Sequence, residues 1–254
     1  MIVVLAKREL AQRFMGSYLG RFWLILSPFL MLAIYAYFFG EILQAKWSLT
    51  STEGGLTNFA LMIFSGLILH QFFSDAITRA PDLVLSNPNY VKKIIFPTEV
   101  LPVVALLVTF VQLMIGLAVL VGVFGITTGK VFWTWLLIPL IYLPFTLFTL
   151  GVSWVLASLG LFLRDIRQIM QFSAAALLFL SPVFYPMDRL PLEMQFLKYV
   201  NPLIIAIEQS RIVLFTGISP DWSVLAMYTF VSVVVAISGF YFFIRSKPAF
   251  ADVI

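Results

Sequence analysis

The chain has 254 residues, 61% of them hydrophobic and 11% charged, with a mean hydropathy of +1.02. A domain that faces water on all sides carries about 25% charged residues, so this balance excludes a soluble globular protein and describes an integral membrane protein. The absence of cysteine and the single histidine exclude disulfides, thiolate metal sites and a polyhistidine centre, and the net charge of +4 is informative through where the basic residues fall.

The first element, within residues 1–21, is an amphipathic interfacial helix expected from about Arg8. Leu10, Ala11, Phe14, Met15, Tyr18 and Leu19 share one side, and Arg8, Glu9, Gln12, Arg13 and Ser17 share the other. A helix of this kind lies in the membrane interface. It serves either as an anchor to anionic headgroups or as a platform for a cytoplasmic partner. Its charges follow the short apolar run and no small-residue cleavage site comes after it, so it is expected to be retained rather than cleaved as a signal peptide.

Six apolar segments of spanning length follow, at about 22–43, 57–79, 99–124, 132–162, 167–185 and 221–244. The fourth exceeds one crossing and contains Pro139 and Pro144, so it is expected to tilt or kink. Six crossings put both termini on one side. Sorted on that basis, eleven of the sixteen basic residues lie on the terminal side, and the positive-inside rule makes that side cytoplasmic.

On the first segment Tyr35, Phe38 and Phe39 share a face. On the fifth, Phe172, Ala176, Phe179 and Val183 follow the spacing of a helical stripe. Such stripes pack a core or line a path. In a path, their flat apolar faces would suit the C–H faces of sugars without fixing charge.

Two connections stand out. The cytoplasmic loop 80–98 carries Pro81, Pro88 and Pro97 together with Lys92 and Lys93, and reads either as a solvated basic loop or as a short helix presented to a partner. The external region 186–220 is too apolar for a free loop. It reads as two short arms, 192–200 and 203–215, with Asn201-Pro202 as the turn and Glu208 and Arg211 at i,i+3 spacing. The arms dip into the membrane beside a cavity or lie on its surface.

Catalytic signatures are missing. The string GITTGKV at 125–131 lacks the spacing and final hydroxyl of a phosphate-binding loop. Ser153 has no histidine on its own segment. The intramembrane ionisable residues reduce to His70, Asp75 and, near a segment end, Glu99. His70 and Asp75 lie about 140° apart around a helix, a thin set for a proton relay.

Three segments together resemble the membrane subunits of type-2 ABC exporters, above all those for O-antigen and other polysaccharides. The first runs from KRELAQRF into a span carrying Ser27-Pro28. The second is SNPNYVKKIIFPTEVLPV, in which Tyr90 stands at a usually leucine-like position. The third is LFLRDIRQIMQF followed in order by SPVFYP, Leu190-Pro191, Asn201-Pro202-Leu203 and an R-x-x-L-F-x-G run from Arg211 to Gly217.

The resemblance implies one all-α integral membrane domain over 1–254, with six transmembrane helices, the N-terminal interfacial helix and a re-entrant helical pair before the last span. It also implies a homodimer in the bacterial inner membrane with two copies of a separate ATP-binding subunit, which holds ATP and Mg. This chain then has no cofactor, no catalytic or metal site and no nucleic-acid partner. The cargo is a lipid-linked polysaccharide. Arg8, Arg13, Asn89, Lys92 and Lys93 become coupling residues. Tyr35, Phe38, Phe39, Phe172 and Phe179 become path residues, and Pro186, Asn201, Pro202, Glu208 and Arg211 belong to an external gate. The alternatives are the same fold with another cargo, such as teichoic acid, capsule, a drug or a lipid, and more remotely an ion-coupled carrier.

Overall fold

The computed structural model describes residues 1–13, 18–38, 55–88, 96–187 and 196–250. Phe39, Asn89, Lys92, Lys93 and the start of the first external arm lie outside these. All regular structure among the described residues is helical: α1 (Ile2–Arg13), α2 (Trp23–Tyr35), α3 (Gly55–Arg79), α4 (Val100–Thr128), α5 (Ile138–Phe162), α6 (Ile166–Leu180), α7 (Leu197–Val200), α8 (Pro202–Arg211) and α9 (Trp222–Ser246).

Four runs, Phe59–Asp82, Val100–Thr128, Trp133–Phe162 and Trp222–Ala249, are long and apolar enough to cross a membrane. The helices on the other two apolar segments are shorter, Trp23–Phe38 and Ile166–Leu180. At about 1.5 Å per residue, the 15 residues of α6 reach roughly 22 Å, against a hydrocarbon layer of about 30 Å. α6 stops where Ser181 turns extended, with ψ 151°, immediately before Pro182. A proline disfavours the helical conformation in the residue before it, so the apolar segment 167–185 is not one continuous helix.

α3 is the hub. A helix that is apolar all round belongs inside a bundle, and residues 59–65, together with Leu67, Leu69, Phe72 and Phe73, are buried among α2, α4, α5, α6 and α8. α9 is the opposite case, with Phe230, Ile237 and Tyr241 exposed on its outer side. It packs on α5 through glycines. A methyl at Gly151 would sit 2.5 Å from the Val235 carbonyl oxygen, and one at Gly239 would overlap the Gly151 carbonyl. With no hydrophobic gain from lipid-facing burial, small residues that let backbones approach are what hold such helices together. The two prolines of the α5 segment divide their roles. Pro139 lies in the first turn, where no N–H is needed, and Pro144 lies inside the helix.

α1 begins at Ile2, earlier than the expected start near Arg8. Ile2, Leu5, Ala6, Glu9 and Leu10 form its inner side, and the helix packs against α4. Glu9, grouped by the sequence with the solvated face, instead reaches Arg79 at the end of α3, 2.6 Å away.

Candidate functional site

At the end of the bundle away from the termini, α8 and its continuation are buried inside the protein rather than lying on its surface. Leu203, Ile204, Ala206, Ile207, Val213, Leu214 and Phe215 are all core residues. Asn201 sets the helix going: its Oδ1 accepts the N–H of Leu203 at 3.0 Å, and Pro202 fills the position that needs no donor. The same amide donates through Nδ2 to the Ser181 hydroxyl at 2.9 Å and to the Leu180 carbonyl at 3.3 Å, which ties the start of α8 to the end of α6.

Arg211 closes the other end of α8. Its Nε and Nη2 donate to the Met62 carbonyl at 3.2 and 2.9 Å, Nη1 to Pro182 at 2.5 Å and Nη2 also to Val183 at 2.9 Å. A planar guanidinium can serve several acceptors at once, so one side chain joins α8, α3 and the SPVFYP segment. Gly66 leaves room for it, since a methyl there would lie 3.1 Å from Nη2. Glu208 adds a favourable charge nearby. Beyond Arg211 the helix widens into a π turn, Ile212–Thr216. There the Thr134 hydroxyl donates to the Val213 carbonyl at 2.7 Å and the Trp135 indole to the Leu214 carbonyl at 3.1 Å. Pro186, the last residue of SPVFYP, is half-buried. The Asp221 carboxyl, which caps α9, is held below the usual carboxylate range by the Ser223 hydroxyl and then by the N–H groups of Val224 and Ser223.

The aromatic candidates divide. Tyr35 is half-buried and packs on the core, whereas Phe38 is exposed. On α6, Phe172 and Phe179 are 77% and 69% exposed, and the Phe179 ring meets that of Phe184 with 6.2 Å between centroids. Val183 is fully buried and lies past the end of α6, which breaks the expected four-residue stripe.

At the terminal end three ion pairs tie elements together, and pattern reading found none of them. Glu9 holds Arg79, Asp82 holds Arg167 at the start of α6, and Glu99 holds Lys247 after α9 at 2.8 Å. The Trp154 indole also donates to the Glu99 carbonyl at 3.0 Å. Arg8 is exposed on α1, and Arg13 is its last residue.

His70 contacts the Ala174 carbonyl through Nε2 at 2.9 Å and the Ser74 hydroxyl at 3.1 Å. The imidazole therefore joins α3 to α6, the bundle contact expected of a lone histidine. His70→Gln keeps a donor at this place, so transport by this variant should stay within about twofold of the parent. An assembled variant with no transport would return His70 to a proton-relay role. No group of three or more metal-ligating side chains occurs among the described residues.

Residues 1–215 match the family described as ABC-2 type transporter, and the chain belongs to that family of transporter membrane proteins. It is 24% identical to the O-antigen export system permease protein RfbA of Klebsiella pneumoniae, over 100% of this chain and 95% of that one. To the protein of the same name from Myxococcus xanthus it is 25% identical, over 99% and 94% of the two chains. To the polysialic acid transport protein KpsM of Escherichia coli it is also 25% identical, over 91% and 88%.

Proposed function

We propose that this chain is the membrane subunit of an ATP-driven exporter that moves a lipid-linked polysaccharide of O-antigen type across the bacterial inner membrane. The observation that carries this reading is the likeness, from end to end, to relatives whose names specify O-antigen or polysialic acid. The chain has no phosphate-binding loop, so ATP and Mg belong to a separate subunit. Two copies of that subunit join a homodimer of this chain. Both termini are cytoplasmic, and α2 and α6 complete six crossings as short helices in a locally thin or solvated part of the bilayer.

The dimer alternates between an open and a closed path, and ATP-driven closure of the partner supplies the difference in contacts between the two states. Loop 80–98, with Asn89, Lys92 and Lys93, and α1, with Arg8 and Arg13, receive that motion. The ion pairs of Glu9 with Arg79 and Asp82 with Arg167 give it a route to α3 and α6. Phe38, Phe172 and Phe179, exposed in the single chain, face the path together with Tyr35 and Phe39. Apolar rings there let a glycan slide without fixed charge. Pro186, Asn201, Pro202, Glu208 and Arg211 form the external gate, whose fixed part is the arginine-pinned α8.

Two variants test this division of labour in vesicles holding the chain with its ATPase. Lys92→Glu combined with Lys93→Glu should leave the dimer inserted but cut ATP-driven export at least tenfold, while ATP hydrolysis no longer responds to substrate. Normal coupled export by that variant rejects the docking role. Phe38→Ala with Phe179→Ala should lower export several-fold more than hydrolysis. Equal export would make these rings lipid-facing only.

A further inference from the structure

Asp75 is the one ionisable residue of α3 for which neither the bundle nor the export reading has a use. His70 is taken up by α6 and Arg79 by Glu9. Asp75 instead lines a cavity of about 300 Å³ between α2, α3 and α4. Among the described residues the polar part of its wall consists of Ser27, Gln71, Asp75, Thr109 and Gln112, and Trp23 adds an aromatic surface. Gln71 donates through Nε2 to Asp75 Oδ1 at 2.9 Å. The other carboxylate oxygen has no hydrogen-bond partner among the described residues.

A carboxylate at this depth is costly unless it is paired or faces a ligand or water. Among the described residues the wall carries no lysine or arginine, and its one charged group is the Asp75 carboxylate. What the wall offers is a strong acceptor, two amides that both donate and accept, two hydroxyls and an indole. Vicinal sugar hydroxyls match that set: two adjacent O–H groups can donate to one carboxylate, the amides take the ring's remaining polar groups, and an aromatic wall receives C–H faces. The volume is at the low end for small-ligand pockets, room for a single ring and not for a chain.

We infer that the cavity between α2, α3 and α4 is a binding subsite for one neutral, hydroxyl-rich sugar unit, with Asp75, Gln71 and Gln112 bonding its hydroxyls and Trp23 forming its apolar wall. Trp23 is the first residue of α2, and Asp75 lies one turn before Arg79, the last residue of α3. The subsite is therefore near the terminal end of the bundle. On the export reading, on which this inference rests, that is the cytoplasmic leaflet where a glycan would enter.

The test uses the complex of this chain with its ATPase in nanodiscs. Saturation-transfer NMR is recorded with a panel of methyl glycosides of glucose, galactose, mannose, rhamnose and N-acetylglucosamine. At least one glycoside should give a signal with the parent chain, and Asp75→Asn with Gln112→Leu should reduce it at least fivefold while dimer elution and basal ATP hydrolysis are retained. No signal from any glycoside at saturating concentration, or an equal signal from the double variant, overturns the subsite. If the double variant fails to assemble, Asp75→Asn alone is used, with at least a threefold loss expected and equal binding overturning the proposal. Parent vesicles that export glycan yet bind no glycoside sink the subsite alone. Parent vesicles that export no glycan sink the export reading, whatever the glycosides do.

Discussion

Arg211→Met should lower the stability of the chain by roughly 3 kcal/mol or more, because it leaves three buried carbonyl groups short of a donor at once. In a chain of this size that corresponds to a fall in thermal midpoint of about 6–12 °C, read by unfolding in detergent or nanodiscs. The acceptors belong to Met62, Pro182 and Val183, so the loss releases α8 from both α3 and the SPVFYP segment. Arg211→Lys should recover less than half of the difference, since an ammonium cannot reproduce the planar fork that spans three carbonyls. An unchanged midpoint in Arg211→Met would mean that the guanidinium does not hold this end of the bundle together.

The second large effect is expected at the α5–α9 crossing. Gly239→Val forces a branched side chain onto the Gly151 carbonyl, where even a methyl has no space. Because the obstruction is backbone rather than a flexible side-chain tip, the helices must separate. The variant should lose the folded peak in size exclusion, and Gly239→Ala should cost about 1–3 kcal/mol, the usual range for overpacking. Gly122→Ala is the control. Nothing lies within 4 Å of a methyl there, and alanine has the better helix propensity, so its stability should hold or rise by up to about 1 kcal/mol. Equal behaviour of Gly239→Ala and Gly122→Ala would reject the close crossing.

Much of the scaffold was legible in the residues because apolar runs and punctuation are local signals. α3, α4, α5 and α9 fall on four of the segments read from hydropathy, and Asn201-Pro202, read as the turn between two short arms, stands at the start of α8. α6 is shorter than the apolar segment 167–185 because apolar character continues through Val183 and Phe184 while the backbone turns at Ser181-Pro182. Hydropathy records the environment of a residue and not its conformation.

The burial of α8 could not be separated from a surface position by periodicity, because a short apolar arm suits either place. What decides it is Arg211, whose partners are 28 and 149 residues away in sequence. For the same reason the three terminal ion pairs have no local signature: Glu9 with Arg79, Asp82 with Arg167 and Glu99 with Lys247 meet only once the helices have packed. The exposure of Phe172 and Phe179 also needed the fold, since stripe spacing serves core and path equally.

The most direct test of the account is export by the reconstituted assembly. Inverted vesicles containing this chain and its ATP-binding partner receive a lipid-linked O-polysaccharide on the outer leaflet, and polymer protected from external glycosidase is measured with and without ATP. Protection should require ATP, be abolished by blocking the partner's hydrolysis and not respond to a proton or sodium gradient. Protection driven by an ion gradient without the partner, or none with ATP while another cargo is carried, would contradict it.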